Sequence, residues 1–438
     1  MNTLKRKISL VQATAINMID MVGIGPFVVM PLVVSYFYNG LFLWAWIFGA
    51  LIAFIDGMVW SELGAKYPLA GGTYNFHRIA FGENGGRLMS FLFVWQTSIQ
   101  APLVVASGAI GFAQYLSYLV DLSFWEQKMV SGGLVVLIFL LLYRKIETIG
   151  KISVVLGTIV ILTILWIIVS GLSHRQHTVN LMPANGESFF NKEFISAIGL
   201  GAVQTVYAYL GYYNVCHLGG EIKNPGRNIP RSIFISIAGI ALLYLLMNLS
   251  VMSIMPWQLV RESDKFLVSS FMESLFGGNA AVIVTGLILC IALSSLFAVV
   301  LGYSRVPYAA AVDGNFFKIF SKLHPTKNFP HISLIFLCAT GFLFSLIFKL
   351  GDAIKAILAM RILVQFIGQA VGVVLLRKRF GDKGLPFKMW LFPIPVILSI
   401  AVWIFLFLST GKFALYGGLI AAIGIAVYFI KEKAVKNI

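Results

Sequence analysis

Met21-Val22-Gly23-Ile24-Gly25-Pro26-Phe27 stands inside an apolar run from Leu10 to Tyr36 that is otherwise long enough to cross a bilayer. Two glycines and a proline within four residues interrupt helical hydrogen bonding where hydrocarbon offers no water in exchange. Such a break survives only where the freed N–H and C=O groups face protein, water or a ligand. The stretch therefore points to a ligand site at mid-membrane depth. A second interruption, Leu210-Gly211-Tyr212-Tyr213-Asn214, falls in a later apolar run. Two broken helices in one membrane chain suggest a carrier.

The rest of the chain agrees with a bilayer setting. Hydrophobic residues make up 59% of the 438 and charged residues 11%, with a mean hydropathy of +0.89; a soluble domain carries about a quarter charged residues. Twelve runs have spanning length: 10–36, 41–66, 86–118, 127–143, 149–171, 194–221, 229–254, 279–312, 332–349, 352–376, 389–409 and 413–430. An even number puts both ends on one side. The basic start, Lys5-Arg6-Lys7, leads directly into a full-length span, so no cleavable leader is expected.

The net charge of +16 is placed as a topology signal and not as a nucleic-acid surface. With the N-terminus cytoplasmic, inward loops and ends hold 24 Lys and Arg. Outward loops hold eight: Lys128, Arg175, Lys192, Arg261, Lys265, Lys349, Lys355 and Lys412. Arg361 lies within a span. This bias predicts both termini on the cytoplasmic side of the plasma membrane. Cys216, Cys290 and Cys338 all fall in expected spans, so no disulfide framework is implied.

Spans one and six are the broken ones, five apart. Five is odd, so two such units in tandem have opposite orientations, the inverted-repeat arrangement of many secondary transporters. A half-helix ending at a break exposes carbonyls, and one beginning there exposes N–H groups with partial positive charge. A zwitterion needs both kinds of partner close together.

Glu62-Leu63-Gly64, Pro68, Gly71-Gly72-Thr73-Tyr74 and Ala80-Phe81-Gly82 resemble the second-span and loop signature of the amino acid–polyamine–organocation superfamily. Tyr207-Ala208-Tyr209-Leu210-Gly211, Glu221-Ile222-Lys223-Asn224-Pro225 and Asn228-Ile229-Pro230-Arg231 are similar to its L-type amino acid transporter branch. Ser304-Arg305, Tyr308-Ala309 and Asp313-Gly314 match the inner end of its eighth span. The resemblance covers nearly the whole chain and implies an all-α integral membrane protein. Its twelve transmembrane helices would form a five-plus-five inverted repeat (the LeuT-like fold) with helices 1 and 6 broken. The division expected within this single domain is 10–171, 194–376 and two peripheral helices in 389–430. Two departures stand out. The family's usual Gly-Ser-Gly-Ile reads Gly23-Ile24-Gly25-Pro26 here, removing a hydroxyl and an N–H. The loop 121–128 lacks the cysteine with which eukaryotic relatives bond a partner glycoprotein. No disulfide-linked heavy chain is therefore expected, and a bacterial permease fits better.

For the first break, the N–H groups of Ile24 and Gly25 are the expected holders of a substrate carboxylate, near the half-helix start at Phe27. The carbonyls of Met21 and Val22, with those of Tyr207, Ala208 and Leu210 from span six, are the expected cage for its ammonium. A kink made only for packing is the alternative. The resemblance gives Tyr207 the role of an aromatic lid. It also sets Lys151 where sodium-independent members brace span one with a lysine; pairing with Glu147 one turn back is the alternative. Ser294 and Ser295 are the hydroxyls that a coupling sodium would use. Asp20, within a turn of the first break, suits a cation partner, a vestibule wall or a proton carrier. Glu62 and Glu221 can pair with nearby arginines to gate the inner side. Asp56 and Arg361 are further costly charges whose facing is open.

Together these imply a secondary transporter for small amino acids, working by alternating access. Neutral substrates are expected because neither interrupted segment carries an unpaired charged side chain to hold a charged side group. Sodium-independent exchange follows from the resemblance. Sodium- or proton-coupled uptake remains the alternative, and an amino acid receptor of permease type is the alternative from another class. No nucleotide loop, nucleophile–base pair or metal cluster appears, His174 and His177 lacking a third ligand, so neither a cofactor nor an enzyme is expected.

Overall fold

The computed structural model describes residues 4–37, 39–179, 181–182, 191–262, 266–349, 356–357 and 359–436. Lys265 and Lys355 of the outward loops lie outside them, as do residues 352–355 at the expected start of span ten. Ser9 opens the first helix with a capping box. Its hydroxyl accepts the Gln12 N–H at 3.4 Å, while the Gln12 side chain accepts the Ser9 N–H at 2.9 Å. The helix runs Leu10–Met21, stops, and resumes as Gly25–Ser35 at 46° to the first half. Pro26 sits in the first turn of the second half, where its missing N–H costs no ladder bond.

Span two is Leu43–Lys66, three Gly82–Leu116, four Phe124–Leu142 and five Ile146–Ser173. Span six is Lys192–Tyr209, a turn, and the short Asn214–His217. Seven is Pro225–Met252, eight Gly278–Tyr303, nine His331–Ile347, ten Ala359–Phe380, eleven Ile394–Ser409 and twelve Lys412–Lys436. Among the described residues eight helices are long and apolar enough to cross a membrane, nine with the bent pair as one. Spans six, nine and eleven, of 18, 17 and 16 residues, complete the twelve. Two features escape hydropathy. Thr73–Ala80 is a separate helix between spans two and three, and Trp257–Glu262 and Leu267–Phe276 lie between seven and eight. Leu267, Val268, Phe271 and Met272 make a buried stripe on the last of these, too short to register as a span.

The packing repeats when span numbers are exchanged by five. Span one lies on seven as six lies on two; three lies on nine as eight lies on four. The pairs two–seven and three–eight map onto themselves. Two five-span units related by a two-fold axis in the membrane plane give this pattern. Span eleven packs on two, six and ten, and span twelve on three, both outside that core.

Asp56 explains part of that attachment. Its buried carboxylate accepts from Trp60 Nε1 (2.9 Å), the Tyr212 hydroxyl (2.6 Å), Trp403 Nε1 (3.0 Å) and the Ser399 hydroxyl (3.3 Å). Four donors fill the four lone-pair directions of a carboxylate, so the charge is met without a cation. The cluster ties span two to the break of span six and to span eleven.

The loops assigned to one side by alternation do meet one another. Arg377 forks onto Glu62 at 2.7 and 2.5 Å, and the Met389 N–H donates to the same carboxylate at 2.7 Å. Arg305 forks onto Glu221 at 3.1 and 2.9 Å. Arg78 pairs with Asp313 at 2.9 Å. The Lys7 and Ile8 N–H groups donate to the Glu221 carbonyl, strapping the N-terminal segment beneath span six. The arginine partners expected for Glu62 and Glu221 are thus Arg377 and Arg305.

Candidate functional site

Three residues separate the halves of span one. Val22 N–H still reaches the Met18 carbonyl at 2.9 Å, and Gly23 N–H the Met21 carbonyl at 3.2 Å. The ladder restarts with Val28 N–H on the Ile24 carbonyl at 3.2 Å, leaving the N–H groups of Ile24, Gly25 and Phe27 outside it. In span six the ladder ends at Leu210, and Gly211 takes φ +125°, a backbone open to glycine alone. A Cβ on Gly211 would lie 2.7 Å from the Asp20 carbonyl carbon and the Met21 nitrogen. The two interruptions therefore meet backbone to backbone. Asn17 fastens them, its Oδ1 accepting the Val215 N–H at 2.9 Å.

Between the breaks lies a cavity with about 70 Å³ of room for water-sized spheres. Of the expected site residues, Asp20, Met21, Ile24, Gly25, Tyr207, Ala208, Leu210 and Ser295 line it. The Tyr207 ring lies over the glycine, 3.3 Å from where a Gly25 Cβ would stand. Ser295 donates to the Asp20 carbonyl at 3.2 Å and so bridges span eight to the end of the first half-helix.

Three expected residues stand elsewhere. Val22 is buried behind the cavity wall. The Ser294 hydroxyl donates to the Cys290 carbonyl of its own helix at 2.6 Å. Lys151 is exposed, one residue past the face of span five that meets span one: Gly150 approaches Gln12, and Gly157 approaches Ala15 and Ile19. Glu147 lies 4.0 Å from Lys7, on the N-terminal segment.

Two contributors were not placed at the cavity by the sequence. The Tyr244 hydroxyl of span seven lies 2.9 Å from the Met21 carbonyl and 3.2 Å from that of Ala208, bridging the two half-helix ends. A tyrosine inside an apolar run reads as packing. Arg361 of span ten was visible as a buried charge but not its direction; it lines the cavity and donates to the Tyr213 hydroxyl at 2.5 Å. Tyr213 itself stacks on Trp60 with ring centroids 4.4 Å apart. A turn of π-helix, Ile362–Ile367, follows Arg361 directly, a widening that re-aims side chains and recurs at functional sites.

Open backbone donors on one half-helix and carbonyls on two others face one cavity, the arrangement that membrane carriers with broken helices share. The comparisons give the family: a model described as "Amino acid permease" matches residues 8–430, and the chain belongs to that family, within the amino acid–polyamine–organocation superfamily. It is similar to the serine/threonine exchanger SteT of Bacillus subtilis, at 27% identity over 93% of this chain and 92% of that protein. It is also similar to the branched-chain amino acid permease BcaP of the same organism, at 24% identity over 98% and 94%. Asc-type amino acid transporter 1 of Mus musculus shares 25% identity over 98% of this chain and 81% of its own length. The family consists of membrane transporters, and its twelve-helix fold is the one described above.

Proposed function

We propose that this chain carries small amino acids across the plasma membrane by alternating access, as a sodium-independent exchanger with both termini cytoplasmic. The observation that carries the reading is the cavity bounded by two interrupted helices. The N–H groups of Ile24 and Gly25 take the substrate carboxylate. The carbonyls of Met21, Ala208 and Leu210 take the ammonium, with the Tyr244 hydroxyl holding the first two in register. Tyr207 is the lid. Residues 10–171 and 194–376 act as the two rocking repeats, with 389–430 peripheral. The loop 121–128 carries no cysteine, so no disulfide-linked subunit is expected. Exchange is supported by the serine/threonine exchanger among its relatives. Sodium independence is the expectation from the resemblance to the L-type branch; the Ser294 and Ser295 hydroxyls donate to backbone carbonyls and keep their lone pairs. Asp20 on the cavity wall favours a second reading, proton-coupled uptake. The two interrupted segments by themselves favour a neutral side group; span ten adds Arg361 to the same cavity.

Proteoliposomes decide between these. Labelled amino acid is expected to enter several-fold faster when unlabelled amino acid is inside, and equally with or without sodium. Equal entry into empty and loaded vesicles removes exchange, and stimulation by an imposed proton gradient selects the second reading.

Gly25→Leu is expected to abolish binding while leaving a folded protein. Its backbone is helical and takes a side chain without backbone strain, while the added Cβ, 3.3 Å from the Tyr207 ring, pushes into the space beneath it. Thermal-shift titration checks this: wild-type melting temperature with no ligand-induced rise is expected, and a retained ligand shift removes the span-one site.

A further inference from the structure

Among the described residues two arginines are buried, Arg305 and Arg361, and a third, Arg377, is partly buried with its side chain 10% exposed. Arg305 and Arg377 each fork onto a carboxylate, Glu221 and Glu62, with both oxygens engaged. Arg361 does not. Among the described residues no carboxylate oxygen lies within 4.0 Å of its guanidinium. Its Nη1 donates to an uncharged acceptor, the Tyr213 hydroxyl, its Nε has no acceptor, and its plane lies 5.2 Å from the Tyr303 ring centroid. The residue is 5% exposed, and what it faces is the cavity. A buried guanidinium with an open fork is costly, and the group that completes it most favourably is a carboxylate held bidentately.

We propose that Arg361 receives a side-chain carboxylate, so that the solute carried is a small acidic amino acid. This rests on the transport reading above and replaces its expectation of a neutral side group. The cavity then offers one partner to each charge of such a solute. The α-carboxylate meets the N–H groups of Ile24 and Gly25, the second carboxylate meets Arg361, and the ammonium meets the carbonyl ends of spans one and six beside Asp20. Asp20 and Arg361 line the same cavity.

The test uses the purified full chain in proteoliposomes and in thermal-shift titration with L-aspartate, L-glutamate, L-asparagine, L-glutamine and L-serine. Wild type is expected to bind and exchange aspartate or glutamate at least tenfold more tightly than the neutral three. Arg361→Gln is expected to lose acidic substrates by about 10–100-fold, the worth of a charge-assisted pair, and to keep or gain the neutral ones. Wild-type preference for a neutral amino acid overturns the proposal, as does a variant that loses acidic and neutral substrates alike. Should Arg361→Gln not fold, the wild-type selectivity decides alone. Failure is distinguishable from failure of the carrier reading: neutral-only transport sinks the assignment of Arg361, whereas no binding or movement of any amino acid sinks the carrier itself.

Discussion

Gly211→Ala is expected to bring exchange below about one tenth of wild type, because displacing a binding constellation by ~1 Å is worth that much or more. Two costs act at once. An alanine held at φ +125° stores about 1–3 kcal/mol of backbone strain. Its Cβ also arrives 2.7 Å from the Asp20 carbonyl carbon and the Met21 nitrogen, main-chain atoms that cannot rotate away as a side chain would. Relief therefore requires the end of the first half-helix to withdraw. That motion separates the carbonyls bridged by Tyr244 and moves Asp20 with its contact to Ser295. Melting temperature is expected to fall by several degrees. Gly286→Ala is the control: its added carbon meets nothing within 4 Å, and it is expected to behave as wild type in both assays. Exchange by Gly211→Ala at the wild-type rate would mean that the two interruptions do not touch in the working protein.

The parts of this fold legible in the sequence were those fixed by the bilayer itself. A run that must satisfy its own backbone has one solution, so Leu43–Lys66 or Ile146–Ser173 follow from length and apolarity. The breaks were legible for the same reason, since Gly23-Ile24-Gly25-Pro26 defeats that solution locally. Rotation about a helix axis was not. Ser294 and Ser295 are adjacent, yet one faces its own helix and the other reaches Asp20, about 100° apart on the wheel. Lys151 misses the span-one interface by the same single residue, the contact being made by Gly150. Arg361 was readable as a cost without a direction, and the π-helical turn that follows it has no signature in the local sequence. Asp56 likewise required four donors from three spans that no local pattern connects.

Glu221→Gln is expected to cost about 3–5 kcal/mol, the usual penalty for leaving one member of a buried pair unmatched. The side chains of Arg305 and Glu221 are 3% and 1% exposed, so water cannot take the missing partner's place. Arg305 would keep the Leu301 carbonyl (3.2 Å) and the Ser304 hydroxyl (2.9 Å), which are dipoles and not a countercharge. The pair joins the turn after span six to the end of span eight, and the Glu221 carbonyl also holds the Lys7 and Ile8 N–H groups. A clear drop in melting temperature of the purified protein is therefore expected, and a change within 1 °C would show that the pair contributes nothing. The double variant Glu221→Met with Arg305→Met separates stability from gating. Replacing both charges by apolar side chains of similar length removes the unmatched charge, so most of the lost stability is expected to return. If the pair serves only as a brace, exchange returns with it. If the pair is the latch that closes this side of the cavity, the double variant is stable but exchanges poorly, since one of the two alternating states has lost the contact that defined it. The latch is the expected result, because the pair links the turn after span six to the end of span eight on the side of the molecule where the loops meet.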